Sequence, residues 1–289
     1  MKKIWLAITA HKPLERINTL VNVLNTYSKY PYEITVKIYI DYDSQNDQEQ
    51  LETVLEAFSS LKTEVVVASP GYEGWYLTWA HKNDLATAVL RKEADFYIYQ
   101  ENDMIIPVES FHYWLRWKQP LARYNLEPGF IRYENFKGKK VPFDNYQKYS
   151  LTKETKNVWH DIGFKVPKIL VISHDFDLFV QVANPYYGAM ILDQTDADKY
   201  IRSQSFDPHK SYELVGVRNW PIADRSSMGL AFEDLPAGHE HRRCVPIKKV
   251  KGVYQPHPWC LLQHDDTKYA PELYTKLGGV LDCKEMFEL

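Results

Sequence analysis

The segment "KIWLAITAHKPLERINTLVNVLNTY", residues 3–27, decides the fold class because its periodicity changes once, in the middle. Ile4, Trp5, Leu6, Ala7 and Ile8 form a run that is too short to span a membrane and long enough for a buried strand. Beyond it Leu14, Ile17, Leu20, Val21 and Leu24 recur at helical spacing on one face, with Pro13 where the first turn of a helix tolerates it. A buried strand feeding a helix is the opening half of a β-α-β unit.

The same alternation continues. Residues 33–41 place Ile34, Val36, Ile38 and Ile40 on one side of a second strand. A polar turn, "YDSQNDQEQ", then leads into Leu51, Val54, Leu55, Phe58 and Leu61 at helical spacing. "TEVVVAS" reads as a third strand, residues 76–92 as a helix and "ADFYIYQ" as a fourth strand. A β-α-β-α-β-α-β series with short joints predicts a mostly parallel sheet with helices on both faces.

Beyond Pro107 the pattern is less regular. "VESFHYWLRWK" predicts a helix, "GFIRYEN", "KILVIS" and "YYGAMIL" strands, and "QTDADKYIRS" and residues 224–235 helices. The polar stretch 137–157 reads as a long excursion. The expected organisation is one domain in two halves, 1–107 and 108–289, the second continuing the sheet of the first.

Composition narrows the function. The chain has 289 residues, 45% of them hydrophobic, and 35 Lys and Arg against 38 Asp and Glu, so a net charge of −3 gives no global reason to expect nucleic acid. Three cysteines, none in a CxxC pair, fit a reducing compartment and exclude a disulfide framework or a zinc ribbon. The basic start and apolar run end at Ala10, which fits a first strand better than a signal peptide, and no 18-residue apolar stretch follows. The expected location is cytoplasmic, with peripheral membrane contact open. Aromatic residues reach 14%, which suits the walls of a sugar or nucleotide site as well as a core.

In an open parallel sheet, ligands bind beyond the carboxyl ends of the strands. Those ends carry "TAHKP", "IDYDS", "SPGYEGW" and "QENDM". Neither GxGxxG nor GxxxxGK[ST] occurs, so a pyrophosphate would lack the usual glycine cradles. Glu101 and Asp103 offer another device, because hard cations such as Mg²⁺ or Mn²⁺ take one or two carboxylates plus phosphate oxygens. Strand alternation points residues 101 and 103 to the same side, so both can reach one ion.

In this order the motifs resemble a GT-A-fold glycosyltransferase of the inverting, family-2-like type. The resemblance is carried by "TAHKPLER" after the first strand, "IDYDS" after the second, the Gly-led "GWYLTWAHKNDLATAVLRKEAD", "QEND" in place of a DxD metal motif, and "MGLAFEDLP" at 228–236. Two departures are plain: the metal motif begins with Glu, and the second turn reads "DYDSQND" rather than DDGS. The resemblance implies transfer of a sugar from a nucleoside diphosphate sugar to a hydroxyl of a glycan or lipid-linked acceptor, with inversion and a divalent cation.

It also implies roles. Asp41 or Asp43 would contact base or ribose, with Thr9, His11, Arg16 and Gly74 on the same rim. Asp103 and Glu101 would hold Mn²⁺ or Mg²⁺, with His264 as a third ligand and Lys268 or Tyr269 near phosphate. Asp234, or else Glu233, would be the catalytic base. "HEHRRCVPIKKVK", 239–251, reads either as a solvated face or as a loop whose Arg242 and Arg243 close on the diphosphate. Trp75, Trp79, Tyr186, Tyr187 and Trp220 are candidate wall residues. Rival readings are a retaining transferase, a sugar nucleotidyltransferase, a carbohydrate-binding protein, and a metal hydrolase built on His174, Asp175 and Asp177 with His257 or His264.

Overall fold

The computed structural model describes residues 1–143, 149–150, 169–170, 178–182, 184–214, 220–277, 282–285 and 287–288. The chain divides into two compact units, Met1–Met104 with Gly188–Glu233, and Ile105–Tyr187 with Asp234–Leu289. The C-terminal half thus returns 46 residues, 188–233, to the first unit.

The first unit is the predicted series. β1 (Lys3–Ala10) leads to α1 (Ile17–Tyr27), β2 (Glu33–Ile40), α2 (Gln48–Leu55), β3 (Lys62–Val67), α3 (Lys82–Arg91) and β4 (Phe96–Glu101). β1 pairs in parallel with both β2 and β4, and β2 with β3. A fifth strand, Ala189–Asp193, runs antiparallel to β4, giving the order 189–193, β4, β1, β2, β3. The chain winds outward from β1 through β2 to β3 and then resumes on the other side of β1. Strand order therefore reverses at the carboxyl end of β1, where doubly wound sheets bind their ligands.

Burial explains why these residues make these elements. β1 is buried on both faces from Ile4 to Ala10, as a central parallel strand should be. Trp5, Ala7, Tyr39, Leu85, Val89, Tyr97, Tyr99, Met190 and Tyr200 share one core cluster. α1 begins four residues later than the periodicity suggests. Pro13 is buried in a turn, residues 11–16 stay outside the helix, and Leu20, Val23, Leu24 and Tyr27 form its buried face. The predicted helix 76–92 is a 3₁₀ turn, Gly74–Trp79, followed by α3.

In the second unit, strand 131–136 lies parallel to 261–264 and antiparallel to 139–142. Strands 178–181, 243–250 and 253–256 form an antiparallel meander. Helices Val108–Ala122 and Tyr269–Leu277 complete it. Among the described residues, strand 189–193 is the part of 108–289 that joins the first sheet. The expected helix at 224–235 is short, Ile222–Ser226, and residues 227–234 are turns. No helix of the described residues is long and apolar enough to cross a membrane.

Candidate functional site

The turn between β1 and α1 carries His11, Lys12 and Arg16, and two of them, His11 and Arg16, each reach the acid at the end of a neighbouring strand. His11 Nδ1 lies 2.5 Å from Oδ2 of Asp41, just past β2. Arg16 donates to Oδ2 of Asp103, just past β4, at 3.2 Å. The two pairs flank the carboxyl end of β1 on its two sides, at the switch point. Asn102 N–H, donating to Thr9 O at 3.1 Å, ties the β4 end to the β1 end.

The Asp41 carboxylate is buried, and its second oxygen accepts the Gly74 N–H at 3.1 Å. Gly74 has a φ of +55° with nothing within 4 Å of a Cβ built there, so glycine is favoured by conformation rather than by space. Asp41 thereby fastens the turn after β1 to the start of the 3₁₀ turn 74–79. Around this knot Tyr42, Trp75 and Tyr76 are exposed, and Trp75 is 75% accessible. Asp43 is exposed in the turn after Asp41. Thr9, by contrast, is buried and shares a 3.1 Å hydrogen bond with the Tyr99 hydroxyl.

At β4 the alternation argument needs correcting. The strand ends at Glu101, and Asn102 and Asp103 lie in a turn, so pleating does not aim residues 101 and 103 to one side. Asp103 is buried beside Arg16, whereas Glu101 is half-buried. As oxygen donors the two carboxylates suit a hard cation, which would complete its shell from phosphate and water and would share Asp103 with the Arg16 guanidinium. Among the described residues, no group of three or more His, Cys, Asp and Glu side chains is placed to hold a metal ion.

A buried basic side chain in the same unit has no counterpart in the sequence pattern. Lys82, in the first turn of α3, is buried, and its Nζ donates to the Tyr200 hydroxyl at 2.5 Å and to Ser226 O at 2.8 Å. The rings of Trp79 and Tyr200 stand 4.9 and 4.8 Å from it. Burial holds the Lys82 ammonium well below its ordinary pKa. The adjacent His81 stacks on Tyr99 at 4.1 Å, and burial, reinforced by Lys82, likewise lowers its pKa far below the usual range. Trp79 is core, with its indole N–H on Ile222 O at 2.8 Å.

Glu233 ends the first unit. Its carboxylate accepts from both the backbone and the hydroxyl of Ser205, at 2.9 and 2.7 Å.

The remaining candidates belong to the second unit. Asp234 has a φ of +49°, and its carbonyl accepts from the Asn125 side chain. Asn125, itself at φ +56°, accepts at its own carbonyl from Arg242 Nε at 3.0 Å. The segment 239–251 is neither a solvated face throughout nor a loop. Residues 243–250 form a strand in which Arg243 is buried, donating to Glu127 at 3.0 Å with its guanidinium 4.1 Å from the Tyr187 ring centre. His241 is buried too, bonded to Val182 O at 2.7 Å and accepting from Arg243 N at 3.1 Å, and burial pushes its pKa down to about 3.

His264 is buried, with Nδ1 2.9 Å from Glu134 Oε1. Glu134, 0% exposed, also accepts the backbone N–H groups of Lys268, Tyr269 and Ala270, which caps the helix Tyr269–Leu277. Tyr186 and Tyr187 are buried, with the Arg132 guanidinium 4.2 Å from the Tyr186 ring. His174, Asp175 and Asp177, the core of the hydrolase reading, fall outside the described residues, as does most of 137–157. Sequence inspection missed Glu134 and Lys82. Each is one charged residue within an otherwise ordinary element, and only its partners, distant in sequence, mark it out.

No protein-family model matches the chain, and no curated protein sequence is similar to it. Among solved structures it is similar to S. aureus TarS 1–349, with 11% identity, a TM-score of 0.34, and coverage of 68% of this chain and 48% of that one. The same segment in complex with UDP gives 10% identity and a TM-score of 0.34. The chain thus spans about half the length of that segment.

Proposed function

We propose that the chain is a glycosyltransferase that moves a sugar from a nucleoside diphosphate sugar to a hydroxyl acceptor. The observation that carries this reading is the rim at the switch point, where His11 meets Asp41 and Arg16 meets Asp103 on either side of the β1 end. A diphosphate needs positive donors without a glycine cradle, and Arg16 supplies a planar guanidinium suited to phosphate oxygens. The exposed rings of Tyr42, Trp75 and Tyr76 beside Asp41 offer flat apolar faces for a base or a sugar.

In the reaction proposed, the acceptor oxygen attacks the anomeric carbon as the bond from that carbon to the diphosphate oxygen breaks, with inversion. The resemblance assigns the acceptor proton to a carboxylate of the Glu233-Asp234 pair. Glu233 is committed to Ser205, which favours Asp234 for the role. Arg16 and His11 face the charge that develops on the leaving diphosphate. A divalent cation, when bound, would be held by Glu101 and Asp103 and would supply Lewis-acid stabilisation of that same charge. His264 is retained as a candidate by resemblance alone, whereas Arg242 and Arg243 were expected on a loop closing over the diphosphate and Arg243 instead lies buried in a strand against Glu127.

The test is release of nucleoside diphosphate from a panel of sugar nucleotides, with and without Mn²⁺. One donor is expected to be turned over, and Asp103→Ala is expected to lower the rate by about a hundredfold or more. Equal background rates for every donor, unchanged in Asp103→Ala, would overturn the reading.

A further inference from the structure

We infer that Asp41 meets no ligand itself and acts through His11, whose Nε2 is the atom this pair presents to an anionic ligand. The resemblance would have Asp41 touch base or ribose, and the geometry points elsewhere. Both oxygens of Asp41 are in use, one on His11 Nδ1 at 2.5 Å and the other on Gly74 N at 3.1 Å, and the residue is 4% exposed. The His11 side chain, in contrast, is 59% accessible while its Nδ1 is engaged. The exposed edge of the ring is therefore the Nε2 edge.

A carboxylate on Nδ1 fixes what Nε2 can do. In the neutral ring the proton resides on Nδ1 and is donated to Asp41, leaving a lone pair on Nε2. An anion at Nε2 binds with uptake of one proton from water, which makes His11 a charged donor to it while Asp41 holds the balancing charge behind the ring. The charges around the ring are mixed, so the anion follows from the nucleotide-sugar reading and not from the net charge of the rim. The same turn carries Lys12, paired with Glu15 at 3.2 Å, and Arg16, paired with Asp103. The acids nearby are Asp43 after β2, Glu73 before Gly74, bonded to Gly71 N at 2.9 Å, and Glu101 and Asp103 after β4.

On the nucleotide-sugar reading, on which the identity of the ligand rests, the anion is the diphosphate of the donor. Asp41 is then a positioning residue, and its loss is felt only through His11.

A double-mutant cycle separates the two roles. The affinities of wild type, His11→Gln, Asp41→Asn and the double variant are measured by calorimetry for inorganic pyrophosphate and for four nucleoside diphosphates. The imidazole ¹⁵N resonances are followed by NMR, and thermal melts confirm that each variant is folded. Each single variant is expected to lose about ten- to a hundredfold in affinity, as for a hydrogen bond to a charged group. The double variant is expected to bind no more weakly than His11→Gln, and the free wild type is expected to show the Nδ1–H tautomer, with Nε2 shifting on titration and the tautomer changed in Asp41→Asn.

Multiplying losses in the double variant would mean that Asp41 contacts the ligand independently, and would overturn the inference. So would an unchanged affinity in His11→Gln. If pyrophosphate binds and shifts Nε2 while no nucleoside diphosphate binds, the nucleotide reading falls and the role of His11 stands. If neither binds, both fall.

Discussion

Each unit of this chain holds a histidine against a carboxylate, and the two pairs do different things. His264 and Glu134, 2.9 Å apart in the second unit, are both buried, and Glu134 also collects three backbone N–H groups from the start of helix Tyr269–Leu277. His11 and Asp41, 2.5 Å apart in the first unit, have a buried acid and an exposed imidazole, and they sit where the strand order reverses. The chemistry of the pair is the same. What differs is how many internal donors the acid serves and whether the ring faces water. The first pair is a brace for the fold, and the second is a brace for one side chain that faces outward.

The largest effect is expected where the acid has most partners. Glu134→Ala leaves a buried imidazole and three helix N–H groups without their acceptor, and should destabilise the second unit by about 3–5 kcal/mol in chemical denaturation. A loss below about 1 kcal/mol would show that the pair is not a structural brace.

A third histidine sharpens the comparison through pH. His241 is buried neutral between Val182 O and Arg243 N, with its pKa pushed from 6.5 to about 3 by burial. The unfolded chain takes up a proton there near pH 6.5 and the folded one does not. The stabilisation is therefore complete above pH 6.5 and is lost as pH falls toward 3, about 2 kcal/mol of it by pH 5. Denaturant melts at pH 7 and 5 should show that loss in the wild type, and His241→Gln should lack this share of it. Identical pH dependence in the two proteins would remove His241 from the account.

The smallest effect on stability belongs to the outward pair. His11→Gln is expected to change folding stability by less than about 1 kcal/mol, because more than half of the side chain is already in water. A change as large as that of Glu134→Ala would erase the distinction between the two pairs.

The sheet of the first unit was legible because its strands announce themselves: β1 is apolar from Ile4 to Ile8 and β2 alternates, so their periods differ from those of the helices between them. The start of α1 was not. Leu14 fits the helical stripe, yet Pro13 and the tasks of His11 and Arg16 at the rim keep residues 11–16 outside it. Position at the strand ends and the family resemblance together picked out His11, Arg16, Asp41 and Asp103 as candidates, but not how they pair. Pairing depends on which strands are neighbours, and β4 lies beside β1 only because the winding reverses. The basic run at 239–251 misled for the opposite reason. Arg243 and His241 look solvated until Glu127, Pro185 and Val182 are seen to satisfy them inside the unit. Nothing local to "GFIRYEN" shows that Glu134 is fully buried, since its partners come from residues 264–270.

The central claim is that the rim around the β1 end receives a nucleoside diphosphate. Calorimetric titration of the wild type and Arg16→Ala with the common nucleoside diphosphates, in the presence of Mn²⁺ and again in its absence, tests that claim most directly. One nucleotide should bind the wild type, and Arg16→Ala should bind it at least about tenfold more weakly under both conditions. Binding of equal strength in the two proteins, or no binding by the wild type, would contradict it.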